Sequence, residues 1–433
     1  MTIERAGIRY KFIFLCLILF AFANVFLIQV LLVYESRENV KSEGFQDEKS
    51  EPTLKPSSTT DFSYRRIQFV SNGVDSFFKQ SIFSTKHEHN FSSLLTVSPV
   101  ADEVNVWNLA SKWVSSSQIW PKEAPQLSHV VAALKQKKIV AADVSTKGTQ
   151  LKLALVLEGG QQVLFKPKWY DRDHVITGNV YGGKDRHNGE VAAFHLARLL
   201  GLNRVPIAAM RKINLNTEIL PVASKILSRT FYRKDNTTCF YGVCTYCRPT
   251  DGVCDDRRSL EGAIVLWLPQ AFQLVKHRHP WQRSYSSAPA KWQMHANYCS
   301  LVKRSKKYQD ESKLLNLIET SIFDFLIDNG DRHHYERFAS GGPVLLIDNG
   351  KSFGNPDADH LDILAPLIQC CRVPERIVSV LTQLQNGALS SWLVKLMTTV
   401  ENDTSPPILN LKHLQALDRR LKLVLSAVLK TRL

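Results

Sequence analysis

Two aspartates 17 residues apart, Asp331 and Asp348, carry the chemistry most readily read from this chain. Asp331 stands in Asn329-Gly330-Asp331-Arg332-His333-His334-Tyr335-Glu336, and Asp348 opens Asp348-Asn349-Gly350. Phosphoryl transfer asks little covalent chemistry of a protein: one carboxylate orients the acceptor hydroxyl, and another holds the divalent cation that bridges the nucleotide phosphates. On that reading Asp331 orients and Asp348 holds. The competing reading makes both of them turn caps, a role Asp fills readily. His333 and His334 are weaker as metal ligands, because no Cys or carboxylate stands at a zinc spacing from them.

Such a pair needs elements that aim it. Leu315, Ile318, Ile322, Phe325 and Leu326 recur at helical spacing, and Asn329-Gly330 stops that helix where Asp331 must face a cleft. Val344-Leu345-Leu346-Ile347 reads as a short buried strand with Asp348 at its end. Protein kinases carry His-Arg-Asp and then Asp-Phe-Gly in this order of elements, so the wording here departs from both motifs while the roles are kept. Upstream, an alternating stretch from Gly148-Thr149-Gln150-Leu151 to Val156 turns at Glu158-Gly159-Gly160-Gln161 into Val163-Leu164-Phe165-Lys166. This predicts a β-hairpin ending in a lysine suited to bridging nucleotide phosphates. Considered alone, Lys166 reads more readily as a solvated strand-end charge, and the company of Asp331 and Asp348 reverses that.

Gly178 to Lys184 satisfies the spacing of a P-loop, with a helix expected over 188–200. Asp185 replaces the Ser or Thr that should follow, and a carboxylate there would crowd the phosphates, so the P-loop reading is disfavoured. Beside Lys166, Asp185 has a better use as a second metal carboxylate.

The chain has 433 residues, enough for a two-lobed domain of roughly 300 with appendages. Its 55 Lys and Arg outnumber 40 Asp and Glu, which suits phosphate-bearing or polyanionic partners. The basic residues are scattered and no nucleic-acid-binding signature accompanies them, so no nucleic acid is expected. Phe12 to Tyr34 is a mostly apolar run of about 23 residues behind Arg5, Arg9 and Lys11. It predicts a cytosolic tail over 1–11, a signal anchor over 12–34 and a luminal remainder, with a cleaved signal peptide as the competitor. Residues 35–95 read as a flexible stem, and 96–433 as the catalytic domain. Sequons at Asn90, Asn236 and Asn402 are compatible with glycosylation in the lumen.

Cys16 lies in the apolar run, and the other seven cysteines fall between Cys239 and Cys371. Cys239, Cys244, Cys247 and Cys254 suit either zinc or disulfides, and an oxidising lumen favours disulfides. Seven is odd, which leaves one thiol free or paired between chains.

The runs 147–152 (Lys-Gly-Thr-Gln-Leu-Lys), 165–168 (Phe-Lys-Pro-Lys), 185–188 (Asp-Arg-His-Asn), 239–242 (Cys-Phe-Tyr-Gly), 331–336 and 369–371 (Gln-Cys-Cys) together resemble the secretory-pathway atypical kinases. That family includes the Golgi casein kinase and the glycosaminoglycan xylosylkinase, and the resemblance runs from about residue 96 to the C-terminus. It implies an α+β, atypical two-lobed protein-kinase-like fold, with the N-lobe over about 96–260 and the C-lobe over about 261–433. ATP and Mn2+ are the implied cofactors, with Mg2+ equally suited to carboxylate ligands.

Position by position, the resemblance implies Gln150, Lys166 and Glu336 as nucleotide contacts and Val265, Leu266, Trp267 and Leu268 as the adenine-receiving hinge. It implies Asp185 and Asp348 as metal ligands and Asp331 as the catalytic residue. It also implies Cys239–Cys254, Cys244–Cys247 and Cys299–Cys370 bridges, leaving Cys371 without its usual C-terminal partner and the anchoring of the last helix open. The wording at 265–269, 276–281 and 351–356 looks closer to the family's sugar kinases. That implies phosphate transfer to the 2-hydroxyl of xylose in the proteoglycan linkage glycan, by a Golgi single-pass type II membrane protein with a luminal catalytic domain. A homodimer or a heterodimer within the family is compatible with the resemblance. A luminal kinase for acidic Ser motifs and a non-catalytic activating partner are the alternatives, and the second is disfavoured by the complete set Asp185, Asp331 and Asp348. The amphipathic run Leu414, Leu417, Leu421, Leu425 and Val428 is expected to pack on the catalytic lobe rather than on a membrane. His277, His279 and Trp281 are open between loop residues and sugar contacts.

Overall fold

The computed structural model describes residues 90–96, 105–401 and 407–432. The apolar run Phe12–Tyr34, most of the expected stem and the Asn402 sequon lie outside the described residues. Among the described residues, no helix is long and apolar enough to cross a membrane.

Helices α1 (Val106–Trp113) and α2 (Leu127–Gln136) precede strands β1 (Ile139–Val144), β2 (Leu153–Leu157) and β3 (Gln161–Pro167). The alternation in β2 buries Leu153, Leu155 and Leu157, and their partners in β3 bury Val163 and Phe165. Gly159 and Gly160 make the hairpin turn at φ +90° and +82°, and Trp107 lies so close that a Cβ at 159 would meet its ring at 2.8 Å. Helix α3 (His187–Leu199) is buried along its whole length, which its small Ala192, Ala193 and Ala197 permit. Strands β4 (Ala208–Ile213), β5 (Phe231–Lys234), β6 (Thr237–Phe240), β7 (Val253–Cys254) and β8 (Leu260–Leu266) follow. A five-stranded antiparallel sheet results, in the order β1-β2-β3-β8-β4, with β5-β6-β7 as a separate small sheet. The lobe boundary expected near 260 falls too early. Strand β8 pairs throughout with β3 and β4, and the chain leaves the sheet only after Leu266.

Strand β9 (Leu274–Arg278) joins a second region made of α4 (Glu311–Ile327), β10 (His334–Phe338), β11 (Gly341–Leu345), α5 (Ala365–Cys370), α6 (Glu375–Gln383), α7 (Ala388–Glu401) and α8 (Leu411–Arg432). Helix α4 is its axis: Leu317, Ile318, Ile322, Phe323, Phe325 and Leu326 are all buried. Asp310 caps its start by accepting from Ser312 N–H, and Asp328 ends it in the left-handed region at φ +57°. Leu417, Leu421, Leu425 and Val428 of α8 are buried, as their spacing predicts. Arg420, also buried, donates to Asp359 Oδ1 (2.9 Å) and lies 3.4 Å from Asp328 Oδ2, so ion pairs tie α8 to the end of α4. The disulfides Cys239–Cys254, Cys244–Cys247 and Cys299–Cys370 are formed, and Cys371 is free and exposed. The zinc alternative for the four-cysteine cluster is thereby set aside. The stem boundary shifts as well: Phe91–Leu95 form a 3-10 turn against the core, with Phe91 and Trp392 ring centroids 5.6 Å apart, so the domain begins before residue 96.

Four buried histidines give the fold a pH dependence. Burial holds His187 and His413 down to about 4 and His279 to about 3, and it also lowers His195. A histidine whose folded pKa lies below the unfolded value of about 6.5 binds more protons when unfolded, so its stabilisation is complete above pH ~6.5 and is lost as pH falls toward 4. Urea midpoints of residues 90–433 should therefore decline steadily from pH 6.5 to 4.5 at constant slope. Glu261, held down to about 2 against its burial by His187 and Arg172, loses its contribution only below about pH 4.5. A flat midpoint across that window would show that these imidazoles are not buried neutral.

Candidate active site

Lys166 emerges near the end of β3, is buried, and binds three carboxylates at once. Its Nζ lies 2.7 Å from Asp348 Oδ1, 2.5 Å from Glu190 Oε1 and 3.2 Å from Asp185 Oδ2. Burial works against the ammonium charge, but the three carboxylates outweigh it and hold its pKa well above the ordinary lysine value. Asp185 comes just ahead of α3 and Glu190 in its first turn, where a carboxylate also meets the positive end of the helix. Asp348 follows β11 at φ +60°, a left-handed backbone that costs of order 1 kcal/mol or more in a non-glycine residue. Its side chain is 72% accessible and opens into the cleft, and attraction to Lys166 holds its carboxyl well below the usual range.

Arg332 locks the two aspartate loops together. It makes a forked pair with Asp324 of α4 (2.6 and 2.8 Å), donates to Ile347 O (2.7 Å) and donates to Asn349 Oδ1 (2.8 Å). On the other side, Arg186 N–H donates to Gly350 O at 2.7 Å and Arg186 Nε donates to Ser352 O at 2.5 Å. A Cβ at position 350 would stand 2.7 Å from Asp185 Cγ, so only glycine lets the Asp348 loop approach Asp185 this closely.

Asp331 lies on the loop between α4 and β10. The Tyr285 hydroxyl donates to its Oδ1 at 2.5 Å and lies 3.1 Å from His333 Nδ1, which is 2.8 Å from the Asp331 carbonyl. Burial and the Asp331 carboxylate push the Tyr285 phenol up, so it stays a donor. Hydrogen bonding to Asp331 raises His333 above the ordinary histidine value. Lys351 Nζ lies 3.9 Å from Asp185 Oδ1 and donates to Gly183 O. Burial lowers its pKa, against the pull of Asp185, Asp331 and Asp348.

A cavity of about 640 Å³ opens beside Lys166, and Val265, Leu266, Trp267 and Leu268 line it together with Glu336 and Asp348. The residues expected at the hinge, the strand lysine and the metal loop therefore meet at one cleft. Gln150 does not line it: Lys147, Gly148 and Lys152 of the same loop do, and Gln150 stays half-buried outside. The reason is local, since Leu151 is drawn into the core and turns Lys152 inward. The lysine of the P-loop spacing stays out of the cavity lining, because Lys184 pairs with Asp251 and sits 5.0 Å over the Trp169 ring. The expected helix after it runs from His187 to Leu199.

Sequence reasoning missed Glu190, Lys152, Arg332 and Tyr285. Glu190 had a signal, as an acidic residue in the first turn of an otherwise small and apolar helix. Arg332 had one too, because Asp324 is a lone carboxylate within the apolar C-terminal half of α4. Tyr285 had none, because its loop comes to Asp331 only through the tertiary fold.

Among the described residues, no group of three or more His, Cys, Asp or Glu side chains forms a ready metal cage. Two carboxylates nevertheless fit a divalent cation, since Asp185 and Asp348 both reach the same Lys166 nitrogen. Hard oxygen donors that leave room for phosphate and water suit Mg2+ or Mn2+.

Comparison with known proteins fits this geometry. Residues 105–431 match the family described as Golgi casein kinase, C-terminal, Fam20. The human glycosaminoglycan xylosylkinase is 48% identical over 326 residues, covering 74% of this chain and 79% of its own. Among solved structures, hydra Fam20 with sugar superposes with a TM-score of 0.73 at 43% identity, over 76% of this chain and 95% of that one. The Golgi casein kinase with Mn/ADP bound gives 0.71 at 28% identity, over 89% and 93%. With a kinase-like α+β fold, a lysine–carboxylate hub beside a hinge-lined cavity and a family match over most of its length, the chain belongs to the Fam20 family of kinases.

Proposed function

We propose that this chain is an ATP-dependent kinase that phosphorylates the 2-hydroxyl of xylose in the glycosaminoglycan–protein linkage region. The observation that carries the reading is the convergence of Lys166, Glu190, Asp185 and Asp348 at a hinge-lined cavity, in a chain 48% identical to a glycosaminoglycan xylosylkinase. Val265 to Leu268 receive the adenine, and Lys166, steadied by Glu190, fixes the nucleotide phosphates. Asp331 accepts a hydrogen bond from the acceptor hydroxyl, aims its oxygen at the γ-phosphorus, and takes its proton as the bond from phosphorus to the leaving ADP oxygen breaks. Asp185 and Asp348 would hold the divalent cation, manganese by analogy with the casein kinase, and it would supply positive charge against the phosphates. The Tyr285 hydroxyl donates to Asp331 Oδ1, the carboxylate that on this reading receives the sugar hydroxyl.

The apolar run 12–34 supports a signal anchor in the Golgi membrane with the kinase domain in the lumen. Closed disulfides and exposed sequon asparagines at Asn90 and Asn236 support the same location and glycosylation there.

The test incubates the luminal portion with labelled ATP and Mn2+, offering a galactosyl-xylose acceptor and an acidic Ser peptide side by side. Label should appear on the sugar and fall at least about a hundredfold in Asp348→Ala. Label on the peptide alone would reassign the chain to the protein kinases, and label on neither would favour a non-catalytic partner.

A further inference from the structure

The second three-stranded sheet, in the order β11-β10-β9, ends at β9 and leaves that strand's outer edge open. The phase of the ladder is set at its two ends: Ala339 N–H donates to Gln273 O (2.8 Å) and His279 N–H donates to His333 O (3.0 Å). Hydrogen-bonded pairs in an antiparallel ladder recur at every second residue. Val275 and His277 therefore bond to β10, and the N–H and C=O groups of Leu274, Lys276 and Arg278 point to the open side. Among the described residues, no hydrogen bond reaches those outward groups. Leu274 and Val275 are 40% and 42% exposed, so nothing covers the strand.

This edge is basic. Lys276 and Arg278 lie on it and Lys307 and Arg337 flank it; Glu336 stands opposite Lys276 in the ladder, and among the described residues none of the four basic groups is in an ion pair. His277 reports the same field: burial, then Lys307, Arg337 and Lys313, hold its pKa down. Of these, Lys313 has its own partner, Asp310, at 3.7 Å. Lysine and arginine on an edge repel a second copy of that edge and welcome an acidic strand.

The edge also leads to the chemistry. Leu274 and Lys276 line the nucleotide cavity, and Arg278 lies opposite His334, three residues past Asp331. A strand laid along β9 would run from the hinge side to the catalytic loop.

We propose that the open edge of β9 binds an extended acidic peptide by strand addition, and that this peptide is the stretch of acceptor protein next to the glycosylated residue. The identity of the peptide rests on the reading of the acceptor as a protein-linked glycan; the edge assignment does not.

Two measurements test it on the intact luminal portion. Phosphorylation is compared on free galactosyl-xylose, on the same disaccharide linked to the Ser of an acidic decapeptide, and on a neutral decapeptide analogue. Binding of the unglycosylated acidic peptide is followed separately by fluorescence anisotropy. Arg278→Pro removes an outward N–H, a charge and the side-chain bond to Gln282 while sparing the bonds to β10, and Arg278→Ala removes the charge and the Gln282 bond but keeps the N–H. We expect kcat/KM on the acidic glycopeptide to exceed that on the free disaccharide by about tenfold or more, and Arg278→Pro to erase the advantage with the disaccharide rate unchanged. Arg278→Ala should erase part of it. Equal kcat/KM on all three acceptors, or peptide binding indifferent to Arg278→Pro, overturns the proposal. So does tight binding of a sulfated oligosaccharide with no peptide binding. If no acceptor is labelled but the peptide binds and Arg278→Pro abolishes binding, the glycan reading fails and the edge assignment stands.

Discussion

Replacing Asp331 by Asn should lower kcat about a hundred- to ten-thousandfold and leave the affinity for Mn–ADP within about threefold of the original. The asparagine keeps the size of the side chain and can still accept the Tyr285 hydrogen bond, so the loop should hold its shape. What it loses is the ability to take the acceptor's proton. Asp331 lies outside the residues lining the nucleotide cavity, which is why nucleotide binding should survive. Steady-state kinetics and calorimetric ADP titration separate the two effects. A variant that loses nucleotide affinity in proportion to kcat would place Asp331 among the nucleotide or metal ligands, and one with near-original kcat would leave it a turn cap.

The second large effect is expected at Lys166. Its removal in Lys166→Ala leaves Asp185 and Glu190, each only about 5% accessible, without their shared cation, and Asp185 with Lys351 3.9 Å away. Breaking a buried pair by deleting one partner typically costs about 3–5 kcal/mol, because the remaining charge is stranded. Asp348 adds little to that sum, since it opens to the cleft and water relieves it. Phosphoryl transfer should fall with the loss of the phosphate contact. A divalent cation can replace the missing ammonium between the carboxylates, so Mn2+ alone should raise the thermal midpoint of Lys166→Ala by more than it raises that of the original chain. Equal shifts would show that the carboxylates do not share a metal, and an unchanged midpoint for the variant would show that the hub contributes nothing to the fold.

Arg332 explains why such a hub can be preorganised. Its four donated hydrogen bonds hold the loop bearing Asp331 to the loop bearing Asp348 and to the axis of the helical lobe. Preorganised charges do not reorganise at the moment of reaction, which is where most electrostatic catalysis comes from. The C-terminal helix acts on the same axis from its other side, because Arg420 reaches the Asp328 that terminates α4. The ion pairs thus anchor the C-terminal helix, to which no disulfide runs among the described residues.

The sequence alone determined the local elements: the β2–β3 hairpin with its glycine turn, the buried helix, which ends at Asp328 just ahead of the expected Asn329-Gly330, and the strand before Asp348, which ends at Leu345 rather than Ile347. Each follows from periodicity and turn chemistry within a few residues, where physics is local. It also determined the disulfide pairing and the cavity-lining run Val265 to Leu268, though only through resemblance, because 4 cysteines in a cluster admit several pairings. Only the tertiary structure decided which charges meet. Lys166 finds Glu190 across 24 residues and Asp348 across 182, and Tyr285 finds Asp331 across 46. No periodicity encodes such contacts, since they depend on which turn of a helix faces which strand end. For the same reason Gln150 matched a motif and still missed the cleft, while its neighbour Lys152 reached it: a single residue's change of direction in a loop is set by where Leu151 is buried, and burial is a property of the assembled fold.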